Sequence, residues 1–267
     1  MRALRVLCVC LMLPIFAACS QSDAPRPQSV PAKVAAQPVS DEPVKTSVLA
    51  PATKDAAVAE AEIPNTNKII PLRGPAPVAG NDYVSIPDGQ PFEPADGKIE
   101  VVEFFNYICP FCATYSPMFH DWKTRLPADV RITYVPADFR PDFAVYARAY
   151  YAADVLGIAQ KSHDAVYKAV HTDGTLPGEG QPIDENKISQ FYSQYGVTAE
   201  QFSSTMKSFG VSARMQKGRQ FAMHGSINQT PSIVVDGKYL VKGKSWEDSL
   251  RIADHLIAQE RSSQSAN

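Results

Sequence analysis

Val101-Val102-Glu103-Phe104-Phe105-Asn106-Tyr107-Ile108-Cys109-Pro110-Phe111-Cys112 joins a nearly continuous apolar run to two cysteines two residues apart. A run with one carboxylate and no polar alternation is the pattern of a strand buried on both faces. After it, Cys112, Tyr115, Phe119, Trp122 and Leu126 recur at helical spacing. The pair therefore lies where a strand turns into a helix, predicted over about 109–125 with a kink at Pro117. Cys109 is at the helix start, where unpaired N–H groups and the macrodipole favour an anion. A thiolate held there is poised for disulfide exchange. Zinc sites, clusters and structural disulfides use the same spacing, and it is the strand before and the helix after that favour redox chemistry.

The chain has five cysteines, and Cys8, Cys10 and Cys19 fall in the N-terminal leader, so the rest owns only Cys109 and Cys112. A tetrahedral metal needs two further ligands, which only the scattered histidines His120, His163, His171, His224 and His255 could supply. No metal is expected. A purely structural bridge between such near neighbours closes a tiny loop and stabilises little. With 26 Lys and Arg against 28 Asp and Glu, the charge is nearly balanced. No basic run is interleaved with aromatics, which argues against a nucleic-acid partner.

Residues 1–19 read as an export leader: Arg2 and Arg5, an apolar stretch from Val6 to Phe16, then Ala17-Ala18-Cys19. The small-small-Cys ending resembles a bacterial lipoprotein box, with Cys19 as the acylated N-terminus. Phe16 departs from the leucine such boxes favour, which leaves secretion with cleavage after Ser20 or Ser22 as the alternative. The apolar stretch is too short for a stable transmembrane helix. Residues 20–81 are rich in Ala, Pro, Val, Ser and Gln and contain no aromatic residue, so they cannot bury a core. They read as a disordered tether, with a coil reach of roughly 45 Å, or as a tail without a role.

Residues 82–262 are one domain's worth of chain. Tyr83 to Ile86 reads as a short edge strand and Arg131 to Val135 as a second main strand. A helical block covers about 142–222, with one helix beginning after Asp184 and another capped by Thr198-Ala199-Glu200-Gln201. Pro231 to Val235, the turn Asp236-Gly237 and Lys238 to Val241 form a hairpin signal. Ser245 to Asp248 caps a last helix. Phe139, Phe143, Tyr146, Tyr150 and Tyr151 at helical spacing read as core in preference to a substrate groove.

This order resembles an α/β thioredoxin-like fold with an inserted all-helical domain, the layout of the DsbA family. The resemblance rests on Glu103-Phe104-Phe105, Tyr107 and Cys109-Pro110-Phe111-Cys112, on Pro117, on Asn228-Gln229-Thr230-Pro231 before an apolar strand, and on the hairpin after it. It implies a periplasmic enzyme that introduces disulfides into exported proteins through a redox-active Cys109–Cys112 disulfide, needs no cofactor, and works as a monomer. Its partners would be unfolded proteins with free thiols and a DsbB-like, quinone-linked membrane reoxidase. Cys109, first in the pair, is expected to attack and be attacked, and Cys112 to resolve. The resemblance further implies that Glu103 exchanges a proton with Cys112, the alternative being an ion-paired strand glutamate. It also implies a cis Thr230-Pro231 bond whose backbone pairs with substrate. DsbA enzymes are a standard example of a very low cysteine pKa, so strong oxidising power is likewise implied. Phe111 stands where the best-known members have histidine, and a phenyl ring cannot stabilise a thiolate, so a milder oxidant is expected. The other readings are a reductase or isomerase, against which stands the low apolar content of 20–81 for a dimerisation domain, and a client-binding lipoprotein chaperone with an inert disulfide.

Overall fold

The structure, a computed structural model, describes residues 71–265. The leader, Cys19 and residues 20–70 of the expected tether lie outside the described residues.

Five strands form one sheet: β1 (Tyr83–Ser85), β2 (Ile99–Phe105), β3 (Val130–Pro136), β4 (Ser232–Val235) and β5 (Tyr239–Val241), in the order β1-β5-β4-β2-β3. β2 runs parallel to β3 and antiparallel to β4, and β1 pairs antiparallel with β5 at the edge. Every residue of β2 is buried, as its continuous apolar run requires of a central strand. Among the described residues seven α-helices accompany the sheet: α1 (Pro110–Lys123), α2 (Pro141–Val155), α3 (Ala159–His171), α4 (Glu185–Tyr192), α5 (Ala199–Met206), α6 (Phe209–His224) and α7 (Trp246–Ser265). Helix α1 continues through Pro117 without a break.

Strand alternation divides the core in two. Ile99 and Val101 join Tyr115, Phe119 and Trp122 of α1 and Ile252 and Leu256 of α7 on one face. Val102 and Phe104 join the helices α2 to α6 on the other. By the same alternation Glu103 points to the α1 and α7 face. The turn closed by the Lys238 N–H on the Val235 carbonyl at 2.9 Å has positive φ at both central residues, Asp236 (51°) and Gly237 (66°), as a primed turn requires. Asp184 and Thr198 cap α4 and α5 through their side chains.

Two readings need correction. Phe143, Tyr146, Tyr150 and Tyr151 are buried, but Phe139 is 45% exposed, because it precedes the helix and lies over the buried Phe104 ring at the sheet's end. The chain is tied to the domain before residue 82: the Arg73 carbonyl meets His255 Nε2 at 3.0 Å and the Pro75 carbonyl accepts from Arg251, both on α7. Side-chain donors on α7 hold the backbone carbonyls of this segment with little apolar burial, which composition does not reveal. Helix α6 was hidden inside the helical block, and its Gly218 marks a close approach: a Cβ there would meet the Tyr151 hydroxyl at 3.0 Å and Val135 at 3.4 Å.

Candidate active site

Cys109 is the N-cap of α1, with extended backbone, and its Sγ accepts the N–H of Cys112 at 3.4 Å. Pro110 takes the first helical position, where a missing N–H costs nothing. From the opposite side comes the loop before β4. Its Thr230-Pro231 peptide is cis, and the Cys109 thiol lies 3.5 Å from the Thr230 carbonyl. Both cysteines are free in this structure. Cys109 is 5% exposed and Cys112 0%, so only the first sulfur can be offered to another protein.

The two thiols are pushed in opposite directions. The Cys109 thiol is drawn down to about 6, chiefly by its hydrogen bond with Cys112; burial opposes this, and Thr230 and the backbone N–H groups of Cys112 and Phe111 reinforce it. Burial pushes Cys112 well above the usual range, and its hydrogen bond to Cys109 and the charge there add to the effect. One sulfur is a thiolate at neutral pH while its neighbour keeps its proton. Exchange uses that division, with a ready nucleophile beside a guarded thiol.

Phe111 is 65% exposed and contributes only its backbone to the thiolate. Phe111→His removes no buried contact and adds a ring N–H beside Cys109. It should lower the Cys109 pKa by up to about one unit, equivalent to about 1.4 kcal/mol or roughly 30 mV toward a stronger oxidant. Thiolate absorbance against pH measures it, and an unchanged or higher midpoint would remove the argument that Phe111 softens the pair.

Glu103 is 1% exposed, and burial raises its carboxyl to about 8, with Lys123 pulling modestly the other way. Among the described residues no cation pairs with it within 4 Å: Lys123 Nζ goes to the Tyr134 hydroxyl at 3.1 Å, and Glu103 Oε1 has no hydrogen-bond partner. The ion-paired alternative therefore loses its support. No direct hydrogen bond joins Glu103 to Cys112 among the described residues.

Two site residues went unread in the sequence. Asn106, wholly buried, donates from Nδ2 to the carbonyls of Ala137 (2.7 Å) and Phe143 (3.1 Å), and its Oδ1 accepts the Ile108 N–H at 3.1 Å. A lone amide closing an apolar strand just before the cysteines was the available sign. His171 on α3 reaches the Tyr107 carbonyl at 2.7 Å. No local pattern announces a partner 64 residues away. Among the described residues no three His, Cys, Asp or Glu side chains are grouped to hold a metal.

Residues 100–253 match the family described as the DSBA-like thioredoxin domain. The thiol:disulfide interchange protein DsbA of Azotobacter vinelandii is 34% identical over 188 residues, covering 69% of this chain and 85% of that protein. Its counterpart in Pseudomonas aeruginosa is 33% identical, covering 68% and 85%. The crystal structure of oxidoreductase DsbA from Xylella fastidiosa superposes with a TM-score of 0.67 at 46% identity, over 70% of this chain and 98% of that one. With a family match across most of the folded part and relatives above 30% identity that share its length, the chain belongs to the DsbA family of thioredoxin-fold thiol:disulfide oxidoreductases.

Proposed function

We propose that the Cys109–Cys112 pair donates disulfides to unfolded exported proteins in the periplasm. The opposed pKa shifts of two sulfurs, one just reaching the surface and one wholly buried, carry this reading. In the oxidised enzyme a client thiolate attacks Cys109 Sγ; the intramolecular S–S bond breaks and Cys112 leaves as a thiolate that takes up a proton. A second client thiolate then attacks the client sulfur of the mixed disulfide and expels the Cys109 thiolate. The client has lost two electrons and gained one disulfide, and the pair has gained both electrons. The low pKa of Cys109 makes it the better leaving group in the second step.

The cis Thr230-Pro231 loop offers backbone for an extended client segment beside Cys109, a strand-addition mode of binding. A cleft of about 380 Å³ continues from it past Tyr115, Gln229, Lys242 and Trp246. Glu103 serves as the proton store for Cys112. A quinone-linked membrane partner restores the disulfide, and the enzyme acts as a monomer. The test is to mix the oxidised protein with a reduced, unfolded substrate, count substrate thiols lost, and measure the potential against glutathione. Stoichiometric oxidation supports the reading. Faster reduction of insulin than oxidation of substrate would indicate a reductase, and inertness in both directions a chaperone.

The leader adds a second element: acylation of Cys19 would hold the domain to a membrane by a tether. No described helix is long and apolar enough to cross one. Acyl chains anchor by about 0.8 kcal/mol per buried methylene, and the Ala- and Pro-rich segment supplies almost no apolar surface of its own. Cys19→Ser should therefore move the protein from the membrane fraction to the soluble or unprocessed one and abolish palmitate labelling, with the redox activity of the purified protein unchanged. A wild-type protein that is unlabelled and soluble would leave only a cleaved leader.

A further inference from the structure

The turn that delivers Cys109 is held by a single peptide unit, the one joining Tyr107 to Ile108. Residues 106–109 close a tight turn, with the Cys109 N–H donating to the Asn106 carbonyl at 3.2 Å. The 107–108 peptide is its central plane. Rotation of that plane is the easiest way for such a turn to change type, since it needs no movement of the flanking residues. Here both ends of the plane are gripped. The Ile108 N–H donates to Asn106 Oδ1 at 3.1 Å, and the Tyr107 carbonyl meets His171 Nε2 at 2.7 Å. The first grip is local and belongs to the redox loop itself. The second comes from the last turn of α3, in the helical insertion.

We infer that His171 is a positioning residue for the disulfide exchange proposed above: by donating to the Tyr107 carbonyl it locks the 107–108 peptide and couples the helical insertion to the aim of Cys109. The inference rests on that redox reading. A carbonyl oxygen only accepts, so the short contact requires the proton on Nε2. The ring borders a groove of about 630 Å³ between α1 and α3 that also reaches Pro110, the residue after the nucleophile. Its ionisable neighbours there are His120 and Asp121 on α1 and Asp164 and Lys168 on α3, and Lys168 is paired with Asp173 at 2.6 Å.

The lock acts unequally on the two redox states. In the disulfide form the covalent bond to Cys112 fixes Cys109 Sγ whatever the loop does. In the reduced form nothing covalent holds the thiolate against the N–H groups at the start of α1, and its alignment depends on the turn. Loss of the His171 hydrogen bond therefore costs the thiolate more than the disulfide.

The experiment compares the full chain with His171→Ala and His171→Gln by thiolate absorbance against pH and by equilibrium with glutathione, with melting temperature as a control for folding. One well-placed hydrogen bond is worth roughly a factor of five in an equilibrium. His171→Ala should raise the Cys109 midpoint and shift the glutathione equilibrium about fivefold toward the oxidised enzyme. His171→Gln, which keeps a donor of similar reach but no charge, should stay near wild type. A folded His171→Ala protein with unchanged midpoint and equilibrium overturns the inference, and so does a folded Gln variant displaced as far as the Ala one. The nitrogen chemical shifts of His171 in the wild type give an answer that needs no variant: Nε2 must carry the proton in the folded reduced protein, and an unprotonated Nε2 overturns the inference. A wild-type chain that does not exchange with glutathione would instead remove the redox reading beneath it.

Discussion

Cys109→Ser should bring disulfide transfer down to the uncatalysed background, whereas Cys112→Ser should keep a reactive thiolate and accumulate mixed disulfides between Cys109 and exported clients. The two variants differ because the site treats its sulfurs differently. Cys109 has the small remaining accessibility of the pair, 5% against 0%, the lowered pKa and the N-cap hydrogen bond from Cys112 N–H. Removing it removes the only atom a client can reach. Cys112 is wholly buried behind it and retains its proton. As the neighbour best placed to free Cys109 from a bound partner, it is the expected resolving thiol, and serine cannot attack sulfur in its place. Non-reducing gels of periplasmic extract would show the Cys112→Ser adducts and their disappearance in the double variant. Normal turnover by Cys112→Ser would reverse the assignment of roles.

The parts of this site that were legible in the sequence are those whose partners are close along the chain. Cys109 at a strand-to-helix junction is a statement about a dozen consecutive residues, and the same is true of Asp236-Gly237, where positive φ at two positions demands such residues. Helix α6 was poorly legible because its buried positions are only four, Val211, Met215, Gly218 and Ala222, and include a glycine usually taken as a breaker. A Cβ at that glycine would press on the Tyr151 hydroxyl at 3.0 Å and on Val135 at 3.4 Å, so either neighbour would have to give way. The second grip on the redox loop, from His171, could not be read at all, because a backbone carbonyl as partner leaves no trace in residue type. The insertion was thus recognisable as a helical block, but the contact of its His171 with the Tyr107 carbonyl is visible only in three dimensions.

Glu103→Gln should stabilise the folded protein above about pH 5, by roughly 3 kcal/mol at pH 7, and flatten its stability between pH 5 and 8. In the unfolded chain this carboxyl ionises at about the ordinary 4.5, whereas in the fold burial raises it to about 8. Between those values the folded state holds a proton that the unfolded state has released. Stability contributed by this site is therefore complete below about pH 4.5 and declines as pH rises toward 8, at about 1.4 kcal/mol per unit. An uncharged amide carries no such penalty. The Lys123 attraction is too weak to cancel it, since burial is the larger cause and among the described residues no cation pairs with the carboxylate within 4 Å. Urea denaturation at pH 5, 7 and 8 measures the difference, and a variant no more stable than wild type at pH 8 would show that the carboxylate is better solvated than its surroundings indicate. The same exchange should slow the chemistry. Burial holds Cys112 protonated, so every turnover must move a proton on or off that sulfur, and a carboxyl with a pKa near 8 can both give and take one at neutral pH. Glutamine can do neither. A buried carboxylate that weakens the fold while serving the reaction is the combination expected of a functional group, and a stabilised Glu103→Gln protein with wild-type exchange rates would break that link.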